Sequence, residues 1–115
     1  MRPEDRDAAY LWDMRESALT ARDLVAGMGL DAFLEDRRTQ LAVERALELV
    51  GEAARRVSAQ LRDAHPELPW RSIVGLRNVL VHDYGEIDSA RVFAVAVRDI
   101  PALLAVLEPL LPPEP

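Results

Sequence analysis

The amino-acid sequence predicts an all-α protein, a compact bundle of four main helices with one short helical turn. Apolar residues recur at steps of three and four, no segment alternates apolar and polar residues as a half-buried strand would, and glycine or proline stands at the ends of the periodic segments. Half of the 115 residues are apolar, which suffices for one hydrophobic core. We therefore expect a single domain over residues 1–115.

The first helix is predicted over about Asp5 to Met28. Its apolar residues recur at alternating steps of three and four, which places them on one side of the helix. These residues are Leu11, Met14, Ala18, Ala21, Val25 and Met28. Gly27 and Gly29 mark its end, because glycine is favoured just beyond a helix C-terminus. A short helical turn from Asp31 to Glu35 should lead into the next helix.

A long second helix is predicted from about Asp36 to Ala64, because the apolar stripe continues through this whole segment. Either Asp36 or Thr39 can cap its first turn. Gly51 lies in its middle, where a glycine costs about 1 kcal/mol relative to alanine. We therefore expect another helix to approach closely at Gly51. The prolines within residues 65–69 should end the helix.

A third main helix is predicted from Trp70 to about His82. Pro69 suits its first turn, since proline fixes the backbone angle and needs no N–H partner there. Gly85 should end the helix. We expect Trp70 to anchor its packing, with stacking against a nucleic-acid base as the alternative.

The last main helix should begin near Asp88 or Ser89, either of which can cap it. Pro101 is expected to kink it, because a proline inside a helix removes a backbone hydrogen bond. The leucine-rich cluster at residues 103–111 is too short to cross a membrane, so it should pack on the bundle or on a partner. The chain should fray at residues 112–115.

The charge balance argues against a general nucleic-acid-binding protein. The formal net charge is −6, whereas binding to phosphates requires a basic surface. Any contact with RNA must therefore be local. All fourteen basic residues are arginines. Genome composition explains this bias most simply, yet each of these cations can form a planar fork with phosphate.

Metals, membranes and export are not expected. The absence of cysteine excludes disulfides and thiolate metal sites. His65 precedes Pro66 in a predicted loop and should be exposed, with no second histidine at ligand spacing. The first twenty residues carry six charged side chains before Arg15 and resemble no signal peptide. We expect a soluble, cytoplasmic protein without metal or other cofactor.

Polar residues interrupt the apolar segment GLRNVLVHDYGE at residues 75–86. Asn78 and His82 are four residues apart and share one helix face, so the amide can fix the imidazole tautomer. Arg77 lies about 140° around the helix from His82, within reach of a long side chain. We expect these three residues to rim a polar cleft, with Tyr84 at the helix end.

This combination suits cleavage of RNA without a metal. An imidazole can exchange a proton with a ribose 2′-OH or with a leaving 5′-oxygen, and an arginine can stabilise the charge that develops on the phosphate. The product would be a 2′,3′-cyclic phosphate. From the spacing of Arg77 and His82 alone, a structural histidine is the simpler interpretation, because such spacing is common in arginine-rich chains.

A resemblance along most of the chain changes this balance. The matching stretches are DRRTQ at residues 36–40, AVER at 42–45, GEA at 51–53, PWR at 69–71, RN at 77–78 and HDY at 82–84. From about Tyr10 to the last helix, the sequence resembles the HepT-like branch of the HEPN superfamily, small all-helical proteins of bacterial and archaeal toxin–antitoxin pairs. The family's R-x4-H-x-Y signature falls on Arg77, His82 and Tyr84.

The resemblance implies a HEPN-like fold, a function and two partners. Proteins of this family are endoribonuclease toxins that form homodimers, so two copies of His82 would supply a base and an acid. The implied partner in a type VII-like toxin–antitoxin pair is an MNT-type minimal nucleotidyltransferase antitoxin, which transfers AMP to Tyr84. The anionic nucleotide would block RNA beside Arg77. Arg77 and His82 would thus be catalytic, Asn78 supporting and Tyr84 regulatory.

A second class of function stays open. Asp83, Glu86 and Asp88 surround the motif with negative charge, which weakens phosphate binding. Arg71, and Arg55 or Arg56, could offset this charge. The alternative is a non-catalytic HEPN module that binds a nucleotide or the nucleotidyltransferase. Glu52 has two interpretations as well: it lies on a solvated helix face, or it hydrogen-bonds into the cleft.

Overall fold

The computed structural model describes residues 3–79 and 86–114, apart from the side chains of Pro3, Glu4, Arg77 and Val79. Its regular elements are helical, as predicted. They are α1 (Pro3–Leu24), α2 (Leu30–Leu34), α3 (Arg37–Arg56), α4 (Ala59–Ala64), α5 (Trp70–Val74), α6 (Leu76–Val79), α7 (Ser89–Ala94) and α8 (Ile100–Leu107), with a π-helical turn at Val95–Asp99 and a 3₁₀ turn at Glu108–Leu110. The four predicted main helices correspond to α1, the α3–α4 pair, the α5–α6 pair and α7–α8.

Helices α1 and α3 pack along each other and form the centre of the bundle. The predicted stripe on α1 is confirmed, since its members from Leu11 to Val25 are at most 4% exposed. The helix ends earlier than predicted, at Leu24. Gly27 follows with a φ angle of 75°, in the left-handed region that glycine adopts at little cost.

The predicted short helical turn is α2, and it buries Phe33 against the core. Asp36 then caps α3: one carboxylate oxygen accepts from the Thr39 N–H at 3.0 Å and the other from the Thr39 hydroxyl at 2.7 Å. Of the two predicted caps, Asp36 is therefore the one used. These hydrogen bonds hold the pKa of Asp36 below its usual value.

The prediction of one helix from Asp36 to Ala64 is wrong. Helix α3 ends at Arg56, Val57 adopts an extended backbone, and Ser58 caps a separate helix α4. The carboxylate of Asp7 in α1 accepts from the Ser58 N–H at 2.8 Å and from the Ser58 hydroxyl at 2.6 Å. These two hydrogen bonds to a buried carboxylate stabilise the extended conformation between α3 and α4. The apolar stripe continues through the break and therefore does not reveal it.

The helix predicted from Trp70 to His82 is also divided. Helix α5 ends at Val74, and the N–H of Gly75 donates to the Arg71 carbonyl before α6 begins at Leu76. Pro69 stands immediately before α5 as its N-terminal cap. The predicted end at Gly85 lies outside the described residues.

The last main helix begins as predicted, with the Asp88 carboxylate accepting from the Arg91 N–H at 3.2 Å. This last helix is irregular just before Pro101, where a π-helical turn lets the Ile100 N–H donate to the Val95 carbonyl. The leucine cluster packs on the bundle, as Leu103, Leu104 and Leu107 are buried. No helix in the described ranges has both the length and the apolar character needed to cross a bilayer.

Candidate functional site

The predicted motif begins on α6, whose backbone contains Arg77 and Asn78. The Asn78 side chain is exposed, as a polar rim requires, and its N–H donates to the Gly75 carbonyl at 3.0 Å. The side chain of Arg77 and the whole of His82 and Tyr84 lie outside the described residues. Their arrangement around a cleft therefore stays a prediction.

Helix α3 contacts the start of the motif-bearing segment at Gly51. A Cβ placed on Gly51 would lie 3.0 Å from the carbonyl oxygen of Ile73 and 3.5 Å from that of Val74. The predicted close helix approach at this glycine is thus confirmed. It lets α5, and α6 directly after it, lie against α3.

Gln40 holds the chain just after the motif. Its side-chain N–H groups donate to the carbonyls of Phe33 and Leu34 at 2.9 and 3.1 Å, and its carbonyl accepts from the Ser89 hydroxyl at 3.3 Å. Gln40 is only 7% exposed. At about 100° per residue it lies on the same face of α3 as Gly51. Sequence analysis assigned this residue no role, because its partners come from two separate segments, α2 and the start of α7.

Three arginines converge around Val74, three residues before Arg77. Arg55 and Val74 line a small cavity of about 130 Å³ beside Gly51, together with Glu48 and Glu52. Arg62, Arg71 and Val74 line a second, wider cavity of about 670 Å³. Arg55, Arg62 and Arg71 are therefore the arginines that line cavities beside Val74, and Arg56 lines neither cavity.

Acidic residues lie on the same part of α3 as Gly51 and Arg55. Glu52 is exposed and stands 3.8 Å from the Arg45 guanidinium, which also contacts Glu48 at 3.3 Å. Glu52 is thus on a solvated face, the simpler of its two interpretations. Glu44 differs, because one of its carboxylate oxygens is buried and has no hydrogen-bond partner among the described residues. Burial raises the pKa of Glu44, the positive charge of Arg37 opposes this shift, and nearby Glu48 adds to it.

The acidic residues predicted around the motif have different environments. Glu86 is exposed. Asp88 uses its carboxylate to cap α7. Asp83 lies outside the described residues.

A wide groove of about 940 Å³ lies between α5–α6 and the last helix. Its floor is mostly apolar and includes Leu76, the residue directly before Arg77, and Val106. Exposed charges of both signs, Arg98 and Asp99 among them, line its edge. The groove thus combines an apolar surface with a mixed charged rim.

His65 and Trp70 have structural roles in the loop before α5. The indole N–H of Trp70 donates to the His65 carbonyl at 2.9 Å, and Trp70 is 9% exposed. Trp70 is therefore a packing anchor. The His65 imidazole, partly rather than fully exposed, lies 2.9 Å from the Glu67 carboxylate. In residues 3–79 and 86–114, no three potential metal ligands cluster together.

The fold and the surroundings of α6 define the class of protein. It is a small all-α protein in which the central pair α1 and α3 supports the short helix α6, with arginines nearby. A family model described as "Ribonuclease HepT-like" matches residues 14–110. The chain therefore belongs to the HepT-like ribonuclease family, which confirms its resemblance to this branch of the HEPN superfamily.

Individual relatives agree with the family match. The chain is 34% identical over 100 residues to "Putative RNase MJ1380" of Methanocaldococcus jannaschii, covering 87% of this chain and 92% of the relative. It is 35% identical over 101 residues to "Probable ribonuclease HepT" of Thermococcus cleftensis, covering 88% and 92%. No solved structure matches the chain significantly.

Proposed function

We propose that this protein is a metal-independent endoribonuclease in which Arg77 and His82 cleave RNA. The observation that carries the proposal is the family match over residues 14–110, a range that contains the whole R-x4-H-x-Y signature. The wider cavity beside Val74 supports it, because its two arginines, Arg62 and Arg71, outnumber its one acidic residue, and a protein with a net charge of −6 can bind RNA only where cations are concentrated.

In this mechanism, the neutral imidazole of one His82 takes the proton of a ribose 2′-OH, and the 2′-oxygen attacks the adjacent phosphorus. The bond from phosphorus to the 5′-oxygen breaks, and the protonated imidazole of the second copy's His82 returns a proton to that oxygen. Arg77 stabilises the additional negative charge on the phosphate, and Asn78 holds the imidazole. The products are a 2′,3′-cyclic phosphate and a 5′-hydroxyl.

Two histidines in one site require a homodimer, and we assign the groove beside Leu76 as the face that binds the second copy. A two-fold axis brings the same surface together from both copies, so each rim must complement itself. Neighbouring Arg98 and Asp99 meet this requirement, because the arginine of one copy can pair with the aspartate of the other. Leu76 directly precedes Arg77, so contact here would bring the two motifs close.

Regulation follows from the same chemistry. We propose that the protein is the toxin of a type VII-like toxin–antitoxin pair and that an MNT-type nucleotidyltransferase inactivates it by transferring AMP to Tyr84. The phenolic oxygen of Tyr84 would attack the α-phosphorus of ATP and release pyrophosphate. The added phosphodiester places a negative charge and a bulky group where Arg77 would otherwise bind the RNA phosphate.

The test is RNA cleavage by purified protein in EDTA, after intact mass has shown that Tyr84 is unmodified. We expect His82→Ala and Arg77→Ala to lower the rate by at least about a hundredfold. His65→Ala is the matched control, because this other histidine contacts Glu67 and should not affect cleavage. Equal cleavage by His82→Ala contradicts the mechanism.

The same assay addresses the alternative function. The negative net charge disfavours tight binding of a polyanion. If unmodified wild type cleaves nothing in a broad RNA pool, the protein is better described as a HEPN module that binds a nucleotide or the nucleotidyltransferase.

A further inference from the structure

Arg62 in α4 carries a polar group without a partner. Its Nε atom is buried, yet it has no hydrogen-bond acceptor among the described residues. Buried donors are almost always satisfied in folded proteins, so an orphan donor calls for a functional or a ligand-based explanation. An anionic ligand is the natural acceptor for a guanidinium N–H group.

The side chain lines a cavity that can admit such a ligand. Arg62 shares this cavity of about 670 Å³ with Arg71, and its other lining residues include Trp70 and Val74. Neither Arg62 nor Arg71 forms an ion pair within residues 3–79 and 86–114. Both guanidinium groups are therefore available, although Asp63 adds one negative charge to the cavity wall.

The position of the cavity indicates which anion it accepts. Val74 is the last residue of α5, and α6 with Arg77 follows after Gly75 alone. Val74 also lines the small cavity in which Arg55 stands with Glu48 and Glu52, so the excess of arginine lies on the side of Arg62 and Arg71. A chain of phosphates that reaches Arg77 would therefore have Arg62 and Arg71 nearby, and a polynucleotide supplies phosphates at regular intervals on either side of the scissile one.

We propose that Arg62 and Arg71 form a second phosphate-binding subsite, which holds the backbone of single-stranded RNA at a nucleotide outside the scissile bond. The subsite rests on the proposed function and extends it, because it names where the substrate binds away from Arg77 and His82. Guanidinium groups bind phosphate through paired N–H donors, and a rotation of the Arg62 side chain toward the cavity would let its Nε take part. Such a local site is how an acidic protein can hold a polyanion.

The test measures binding separately from cleavage. A short fluorescent RNA with 2′-O-methyl groups cannot be cleaved by attack of a 2′-OH, so anisotropy reports affinity alone. We expect Arg62→Gln to weaken binding several-fold and to reduce the slope of log Kd against log salt by roughly 0.7 to 1, the effect of losing about one phosphate contact. Arg71→Gln should act in the same direction.

Two further variants keep the test decisive. Arg22→Gln removes the same charge from an exposed arginine of α1 that pairs with Asp23, and it should leave both affinity and slope nearly unchanged. Asp63→Asn removes the opposing charge from the cavity wall and should tighten binding. If Arg62→Gln proves unstable in a thermal melt, the affinity of Asp63→Asn still tests the subsite.

The outcomes separate the subsite from the nuclease. Unchanged affinity and slope in folded Arg62→Gln overturn the subsite, whether or not wild type cleaves RNA. An equal loss in Arg22→Gln also overturns it, because the effect would then reflect total charge. A reduced slope in a protein that cleaves no RNA supports the subsite and contradicts only the nuclease.

Discussion

Gly51 of α3 packs directly against the backbone of α5, and a Cβ at this position would lie 3.0 Å from the carbonyl oxygen of Ile73. The neighbouring group is main chain and cannot rotate away as a side chain would. The contact therefore sets how closely the start of the motif-bearing segment lies against the central helix.

We expect Gly51→Ala to lower the free energy of unfolding by about 1 to 3 kcal/mol, because the added methyl group must push α5 outward. This loss should appear even though alanine is favoured over glycine in helices by about 1 kcal/mol. Urea denaturation measures the difference. The reverse change at exposed Ala42 of the same helix, Ala42→Gly, isolates the helix preference. A Gly51→Ala variant that is more stable than wild type would mean that the contact imposes no strain.

The contact between Asp7 and Ser58 leads to a second prediction. Asp7→Ala would leave the partly buried Ser58 N–H and hydroxyl without their acceptor, which should cost about 1 to 3 kcal/mol of unfolding free energy. Exposed Asp13 lies on the same helix, and Asp13→Ala should change stability by no more than about 0.5 kcal/mol. Chemical denaturation compares the two. Similar small losses in both variants would show that Asp7 does not hold the break between α3 and α4.

A third prediction concerns pH and Glu44. Burial raises the pKa of Glu44 above the usual 4.5, so the folded state binds its proton more tightly than the unfolded state does. This contribution stabilises the protein at low pH and is lost as pH rises through the folded pKa. Glu44→Gln should therefore raise stability at pH 7, by no more than about 1 kcal/mol because the side chain is partly solvated.

The difference between wild type and Glu44→Gln should disappear below about pH 4, where the wild-type carboxyl is protonated in both states. Thermal melts between pH 3 and pH 8 follow this trend. Glu35→Gln is the control, since Glu35 is exposed and lies outside α3. If Glu44→Gln is less stable than wild type at pH 7, the carboxylate has a stabilising partner.

The core was predictable from sequence, whereas several local features were not. The stripe from Leu11 to Val25 needs only helical periodicity to be recognised, and Gly51 stood out because glycine is costly inside a helix. The break at Val57 was missed because the hydrogen bonds that hold the next residue, Ser58, come from Asp7, which is 51 residues before Ser58. No local pattern contains that partner.

The candidate site shows the same division. Arg77 and His82 became predicted site residues through the resemblance to the HepT-like family, because their spacing alone favours a structural histidine. The roles of Gln40 and Arg62 depend on carbonyls, hydroxyls and cavity walls that distant segments bring together. Such residues can be recognised only once the helices are placed.

The last prediction tests the face assigned to the second copy. Val106 lines the groove and is 36% exposed, so its side chain would be buried if another copy covered the groove. Val106→Arg would place an unpaired charge in that apolar contact and should raise the dimer Kd by at least about a hundredfold. Sedimentation velocity over a range of concentrations measures this change.

Val97→Arg is the matched control, because Val97 lies on the same last helix and is 43% exposed but does not line the groove. This variant should dimerise as wild type does. Since the mechanism needs His82 from both copies, Val106→Arg should lose RNA cleavage together with dimerisation, and Val97→Arg should keep both. A Val106→Arg protein that dimerises as tightly as wild type would place the second copy on another face, and one that cleaves RNA as a monomer would contradict the use of two histidines.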